Sequence, residues 1–337
     1  MAIRKWMVVA SLALVAALAL TVASVGSAKQ TAPADFTVAL VTDIGGLNDK
    51  GFNASAYKGL KDAQAKLGIK GRVFISKSAN DYIPNLSTGA RGYDMVIAVG
   101  FLMSDTTAAV AKRFPNVKFG IVDVSAPFMK GKPKNVRGIT FAEQEAGCLV
   151  GVAAATVSKT NVISSVGGLK IPPVDAFIAG YQFCAKKLKP NITTLNGYSQ
   201  DFVAQDKCKE VALQQMGEDA DVVFQVAGGC GLGALQGAKE QKKWGIGVDN
   251  DQGFLGNHVL TSATKKVDVG VYDTIRLAMS NRWKGGVDTV FNVKNKGVGF
   301  GKLSKTAPNR VALANRLAKW SRDIAGGKVK PPRTVKG

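Results

Sequence analysis

The sequence predicts an α/β fold built as two similar lobes facing one another across a ligand cleft, and three features lead there. Apolar runs without polar alternation, such as Val38-Ala39-Leu40-Val41 and Met95–Val99, read as strands covered on both faces. Glycines and helical patterns follow such runs, which is the rhythm of a parallel sheet. The layout then restarts. MVIAVG…FGIVD at residues 95–123 is matched by VVFQVAGG…WGIGVD at residues 222–249, each reading strand, glycine, helix, strand, aspartate. In open α/β sheets ligands bind at the carboxyl ends of the strands, so two such edges define a cleft between lobes.

Taken in order, residues 37–42 form the first strand. Gly45 and Gly46 allow a tight turn, and Asn48 or Asp49 can cap the helix that follows. Ala56, Leu60, Ala63 and Leu67 keep helical spacing on it, and Gly68 ends it. Strands are expected at residues 72–75, 95–99 and 117–122, the last ending in Asp123, with a helix at 106–114 between the final two. After a helix at 143–158, the strand at 162–166 ends in Gly167-Gly168 and that at 222–226 in Gly228-Gly229. A helix at 232–241 and a strand at 246–248 running into Asp249 complete the second pattern. To close the molecule, a strand is expected at 259–264, a long helix at 267–283 and a last strand at 290–293. The helix at 311–324 turns Leu313, Leu317, Trp320 and Ile324 to the core, and the tail with Pro331-Pro332 is expected to fray.

With 46% hydrophobic residues, the chain can bury a core large enough for two lobes. Residues 1–28 are set apart from it as a signal peptide: Arg4 and Lys5 precede an apolar run, and Gly26-Ser27-Ala28 supply a small-residue cleavage site. The alternative is a retained membrane anchor, since the run is long enough to span a bilayer. The net charge is +21; without residues 1–28 it is 43 cations against 24 acids, or +19. Such a charge suits nucleic acid or an acidic surface. The cations are nevertheless scattered, without the aromatic-basic interleaving of single-strand binders, and read as a solvated basic surface. Four cysteines, Cys148, Cys184, Cys208 and Cys230, fit an oxidising compartment and match no zinc spacing. Three pairings are open; Cys208 and Cys230 could bridge if both lie at the starts of neighbouring helices.

Asp43, Asp123 and Asp249 fall at strand ends, where carboxylates can accept hydrogen bonds from the hydroxyl or amino groups of a neutral polar ligand. Helix capping or turn formation is the alternative job for each. Phe52 and Phe202 each sit in a polar neighbourhood beside a lobe edge, and one phenyl ring from each lobe would suit a planar heterocycle. Lys265 or Lys266 could donate to a ligand oxygen. A competing signal is Gly229-Cys230-Gly231-Leu232-Gly233-Ala234, which matches G-x-G-x-x-A with Asp249 20 residues on, the spacing of a dinucleotide fingerprint and of an NAD-dependent oxidoreductase. No nucleophile–base set is visible, and His258 is the only histidine, so binding is favoured over catalysis.

The run VALVTDIGGLNDKGFNASAYKGLKDA resembles the basic membrane protein (BMP) family of ABC-transporter substrate-binding proteins, as do FAEQEAG, VGGLKIPPV, VAGGCGLGAL, GIGVDNDQ and TSATKKVDVGVYDTI further on. The resemblance implies a type I periplasmic-binding-protein fold, with two Rossmann-like lobes, a hinge of three crossovers and a central ligand cleft. The first lobe would comprise residues 36–141 plus about 265–288, the second 142–264 plus about 289–326, leaving 327–337 as a basic tail. It further implies a purine nucleoside as ligand, its ring between Phe52 and Phe202. Asp43, Asn53 and Asp123 would make polar contacts from the first lobe, with Asp123 at the base edge. Asp249 would hold ribose hydroxyls, and Lys265 is the lysine of the S-x-x-K crossover. The implied partner is an ABC permease, with no cofactor, no nucleic acid and a monomeric state; another small solute, such as a sugar, is the alternative ligand. Two departures stand out. The family's Y-x-G-S-F-x-D segment reads Tyr198-Ser199-Gln200-Asp201-Phe202-Val203-Ala204 here, and no lipobox cysteine precedes Cys148, which favours a periplasmic or secreted protein over a lipid-anchored one.

Overall fold

The computed structural model describes residues 36–280 and 282–335, so the signal-peptide segment lies outside the described residues. Alternation of strand and helix builds the first half as far as β4. β1 (Thr37–Val41), α1 (Phe52–Leu67), β2 (Lys70–Phe74), α2 (Tyr82–Gly92), β3 (Met95–Val99), α3 (Ser104–Arg113), β4 (Lys118–Val122) and β5 (Val136–Phe141) follow one another. The chain then crosses into a second series: α4 (Glu143–Val157), β6 (Val162–Gly167), α5 (Pro172–Leu188), β7 (Thr193–Tyr198), α6 (Gln205–Gly217), β8 (Val222–Val226), α7 (Gly231–Glu240), β9 (Trp244–Asp249) and β10 (Val259–Lys265). α8 (Val267–Ala278), β11 (Asp288–Phe291), β12 (Val298–Phe300) and α9 (Arg310–Ala325) complete it.

The two sheets share one strand order, β2-β1-β3-β4-β5-β11 in the first and β7-β6-β8-β9-β10-β12 in the second. The first is parallel throughout; in the second only β12 runs antiparallel, against β10. Both central strands β3 and β8 are buried along their whole length, which is why neither shows polar alternation. The chain passes between the sheets three times: from β5 to α4, from β10 to α8, which packs on α1, and from β11 to β12. In each sheet the order reverses beside its first strand, at β1/β3 and at β6/β8, and both reversals open at the carboxyl edge.

Several local expectations need correction. The helix expected to run to Trp283 ends at Ala278, because the Ser280 hydroxyl donates to the Leu277 carbonyl at 2.8 Å and takes the chain out of the helical path. The last predicted strand lies at Asp288–Phe291 and stops where Asn292 and Asn295 bond each other's backbone amides in a turn. That strand pairs with β5, so chain expected to leave the first lobe at about residue 288 adds a strand to the first sheet instead. β5, β7, β12 and α5 carry too little apolar periodicity, or too much, to be separated from loop or buried run by pattern alone.

Two disulfides lie in the second lobe. Cys148–Cys184 ties α4 to α5, and Cys208–Cys230 ties the first turn of α6 to the cap of α7, the neighbouring-helix arrangement envisaged for that pair. Among the described residues no helix is long and apolar enough to cross a membrane.

Candidate functional site

Both carboxyl edges open into one pocket between the sheets. Asp43, Phe52, Asn53, Asp123, Phe202, Asp249 and Lys265 all line it, so the residues singled out from the sequence are brought together. They do not play equal parts.

On the first-lobe edge the chain leaves β1 and is fixed by side chains. The Asn53 amide oxygen accepts from the Asp43 backbone at 3.1 Å, and its nitrogen donates to the Asp43 and Ile44 carbonyls at 3.5 and 3.3 Å. Asn53 thus holds the loop in shape. Asp43 accepts from the Ile44 backbone at 2.7 Å and from the Tyr82 hydroxyl. Its other oxygen rests over Gly100, where a Cβ would come within 2.5 Å. Burial pushes the Asp43 carboxyl up to about 6 against these hydrogen bonds. Asp49 is the helix cap: its carboxylate accepts from the backbone of Gly51, Asn53 and Ala54 at 3.1, 2.7 and 3.0 Å, while Asn48 is exposed. Phe52, the first residue of α1, carries its ring into the pocket.

The second-lobe edge is fixed by backbone and sulfur. Phe202 lies over Gly168, where a Cβ would meet its ring at 2.3 Å, and its carbonyl accepts from the Cys230 backbone at 3.0 Å. Cys230 is in turn bridged to Cys208, so the segment bearing Phe202 is stapled to both helices behind it. Asp249 ends β9 with φ 62°, matching Asp123 beyond β4 with φ 68°; both backbones are left-handed, a conformation Asp tolerates better than most residues. The Asp249 carboxylate accepts no hydrogen bond from any described residue and is 7% exposed. Burial pushes it up to about 7, with Lys265 opposing the rise. Across the cleft mouth, Asn250 donates to the Gly51 carbonyl at 3.1 Å, so the two edges touch.

Between the edges lies a buried ion network. The Lys265 ammonium is 2.7 Å from Asp123 Oδ2 and 3.3 Å from Glu143 Oε1, all three side chains 5% exposed or less. It also stands 5.1 Å from the Phe52 ring centre, 5.0 Å from Phe141 and 5.7 Å from Phe177, in cation–π range of each. Burial alone would lower the Lys265 ammonium; the Asp123, Glu143 and Asp249 carboxylates outweigh it and hold the proton on. For Asp123 burial raises the carboxyl and Lys265 opposes the rise. Its second oxygen, Oδ1, is buried and has no hydrogen-bond partner among the described residues, while the residue itself lines the pocket.

The glycine fingerprint has another explanation. A Cβ on Gly231 would lie 1.7 Å from Gln225 Oε1 and one on Gly233 1.8 Å from the Gln205 carbonyl, so these glycines let α7 pack against β8 and α6. The amides a pyrophosphate would need are engaged: Cys230 with Phe202, Gly231 with Ala227. Sequence reasoning gave no role to Tyr82, Phe177, Glu143 and Arg333. Only Glu143, inside FAEQEAG, stood in a quoted motif.

The family described as ABC transporter substrate-binding protein PnrA-like (Bmp) matches residues 36–326. The chain belongs to it. A relative from Lactococcus lactis, the ABC transporter nucleoside-binding protein BmpA, is 36% identical over 88% of this chain and 89% of its own. The CD4+ T-cell-stimulating antigen of Listeria monocytogenes is 33% identical over 88% of each. Among solved structures, an ABC transporter solute-binding protein from Aeropyrum pernix superposes with a TM-score of 0.79 at 24% identity, covering 88% of this chain and 92% of the other. The fold is that of type I periplasmic solute-binding proteins, and this Bmp chain is an ABC-transporter substrate-binding protein, from a family of binders and not of enzymes.

Proposed function

We propose that the protein works outside the cytoplasm, binds a purine nucleoside between its lobes and delivers it to an ABC permease. The carrying observation is the chemistry of the pocket: an aromatic ring from each lobe, Phe52 and Phe202, with Asp123, one oxygen of which has no partner among the described residues, and the bare carboxylate of Asp249. A purine is flat and apolar on its faces, which suits the rings, and has N–H donors on its edge, which suit Asp123 Oδ1. Ribose hydroxyls come as a neighbouring pair of donors, suited to the two oxygens of Asp249. Lys265 holds Asp123 in place and completes the wall. The relative named as nucleoside-binding supports this reading. Phe52→Ala tests the stacking: nucleoside affinity should fall by about tenfold or more, since one aromatic stack is worth about 1–3 kcal/mol. A variant that binds as tightly as wild type refutes the sandwich.

A further inference from the structure

The described residues after α9, 326–335, fold back on the protein instead of fraying. Backbone amides of Lys328 and Val329 return to the Asp323 carbonyl, and the stiff Pro331-Pro332 pair then carries Arg333 to the first crossover. Its guanidinium spans that crossover. Nη1 donates to the carbonyl of Phe141, the last residue of β5, at 3.1 Å and to Gln144 Oε1 at 2.8 Å; Nη2 donates to Glu143 Oε2 at 2.9 Å. The other Glu143 oxygen lies 3.3 Å from Lys265, which holds Asp123. Four alternating charges therefore run from the surface to a residue that lines the pocket: Arg333, Glu143, Lys265, Asp123. Arg333 is the only one in reach of solvent, its side chain 52% exposed where Glu143 is at 2%.

We propose that residues 327–335 form a strap that sets the ligand site from outside, with Arg333 a positioning residue. By occupying one Glu143 oxygen it keeps the other on Lys265, and so keeps Asp123 turned to the ligand. The inference rests on the nucleoside reading of the pocket. Its physical basis is charge balance. Asp123, Glu143 and Asp249 put three carboxylates around one buried ammonium, and Arg333 is the second cation of the cluster. Without it, Glu143 draws Lys265 away from Asp123, and the pocket acceptor loses its orientation.

The test compares inosine, guanosine and adenosine binding by calorimetry in wild type, Arg333→Ala, Arg333→Lys and Lys330→Ala. Arg333→Ala should weaken the bound nucleoside about tenfold, within the usual range of coupling between sites. Arg333→Lys should fall between, restoring the charge but not the fork. Lys330→Ala, an exposed cation of the same tail, should match wild type. Wild-type affinity in Arg333→Ala, or an equal loss in Lys330→Ala, overturns the proposal. Wild type failing to bind any nucleoside sinks the functional reading, whereas binding with an indifferent Arg333→Ala sinks the strap alone. Hydrogen exchange supplies a second arm without ligand. Glu143→Gln should speed exchange at the Lys328 and Val329 amides, which bond the Asp323 carbonyl, and unchanged exchange there contradicts the strap even if a variant proves too unstable to titrate.

Discussion

The two carboxyl edges have the same topology and an aspartate at the same place, yet they are held by different forces. On the first-lobe edge, side-chain charge and hydrogen bonding fix the groups: Asp43 on Tyr82, Asp123 on Lys265, Asp49 on three helix amides. On the second, a disulfide and a backbone hydrogen bond fix Phe202, and Asp249 is left bare. The difference teaches that one duplicated layout can supply two unlike half-sites. One carries a preset carboxylate held by a buried lysine, and the other a rigid aromatic platform beside a carboxylate that accepts no hydrogen bond from the described residues.

The comparison breaks most heavily at Lys265. Replacing it with Met leaves Asp123 and Glu143 buried without their shared cation, and removing one partner of a buried pair costs about 3–5 kcal/mol. Urea unfolding should show that loss, and nucleoside binding should vanish with it. The opposite edge answers to redox instead. Cys208→Ser with Cys230→Ser opens a loop closed over a separation of 22 residues and should cost about 3 kcal/mol, with Phe202 loosened and the Asp123–Lys265 pair intact. Equal sensitivity of both edges to this double substitution would erase the distinction.

Asp249→Asn sharpens it. Because burial raises the Asp249 carboxyl to about 7, the folded protein keeps a proton that the unfolded chain gives up in the ordinary carboxylate range. That contribution favours folding at low pH and is lost as pH rises through about 7. The asparagine variant should therefore be more stable than wild type at pH 8, by on the order of 2 kcal/mol, while binding nucleoside more weakly. Thermal melts at pH 5 and pH 8 check the sign; a variant less stable at pH 8 contradicts a bare carboxylate. Gly168→Ala is the mildest change. Its methyl falls 2.3 Å from the Phe202 ring, so the ring must shift; nucleoside binding should weaken about tenfold, some 1.4 kcal/mol, with a modest fall in melting temperature.

How much of this the sequence discloses follows from which interactions are local. Runs such as Val38–Val41 and Val222–Val226 declare central strands because burial on both faces leaves no polar position, and Asp123 and Asp249 declare the edges because they end such strands. The strap was illegible: Arg333 meets Glu143 across 190 residues, and a short basic segment after two prolines has no pattern that distinguishes a clamp from a loose end. Asn53 shows a subtler limit. Its place at the pocket was readable, but not that its amide is already engaged with the loop it sits under. The glycine fingerprint misled for the converse reason, since close helix packing and phosphate binding call for glycine at the same spacing.

The central claim is that base and sugar are gripped together, one by the ring pair and Asp123, the other by Asp249. Calorimetric titration of wild-type protein with guanosine, guanine and ribose tests it most directly. The account predicts that the nucleoside binds at least about a hundredfold tighter than either part alone, because each part leaves one edge unfilled. Ribose or another free sugar binding as tightly as the nucleoside, with no response to the base, would contradict it.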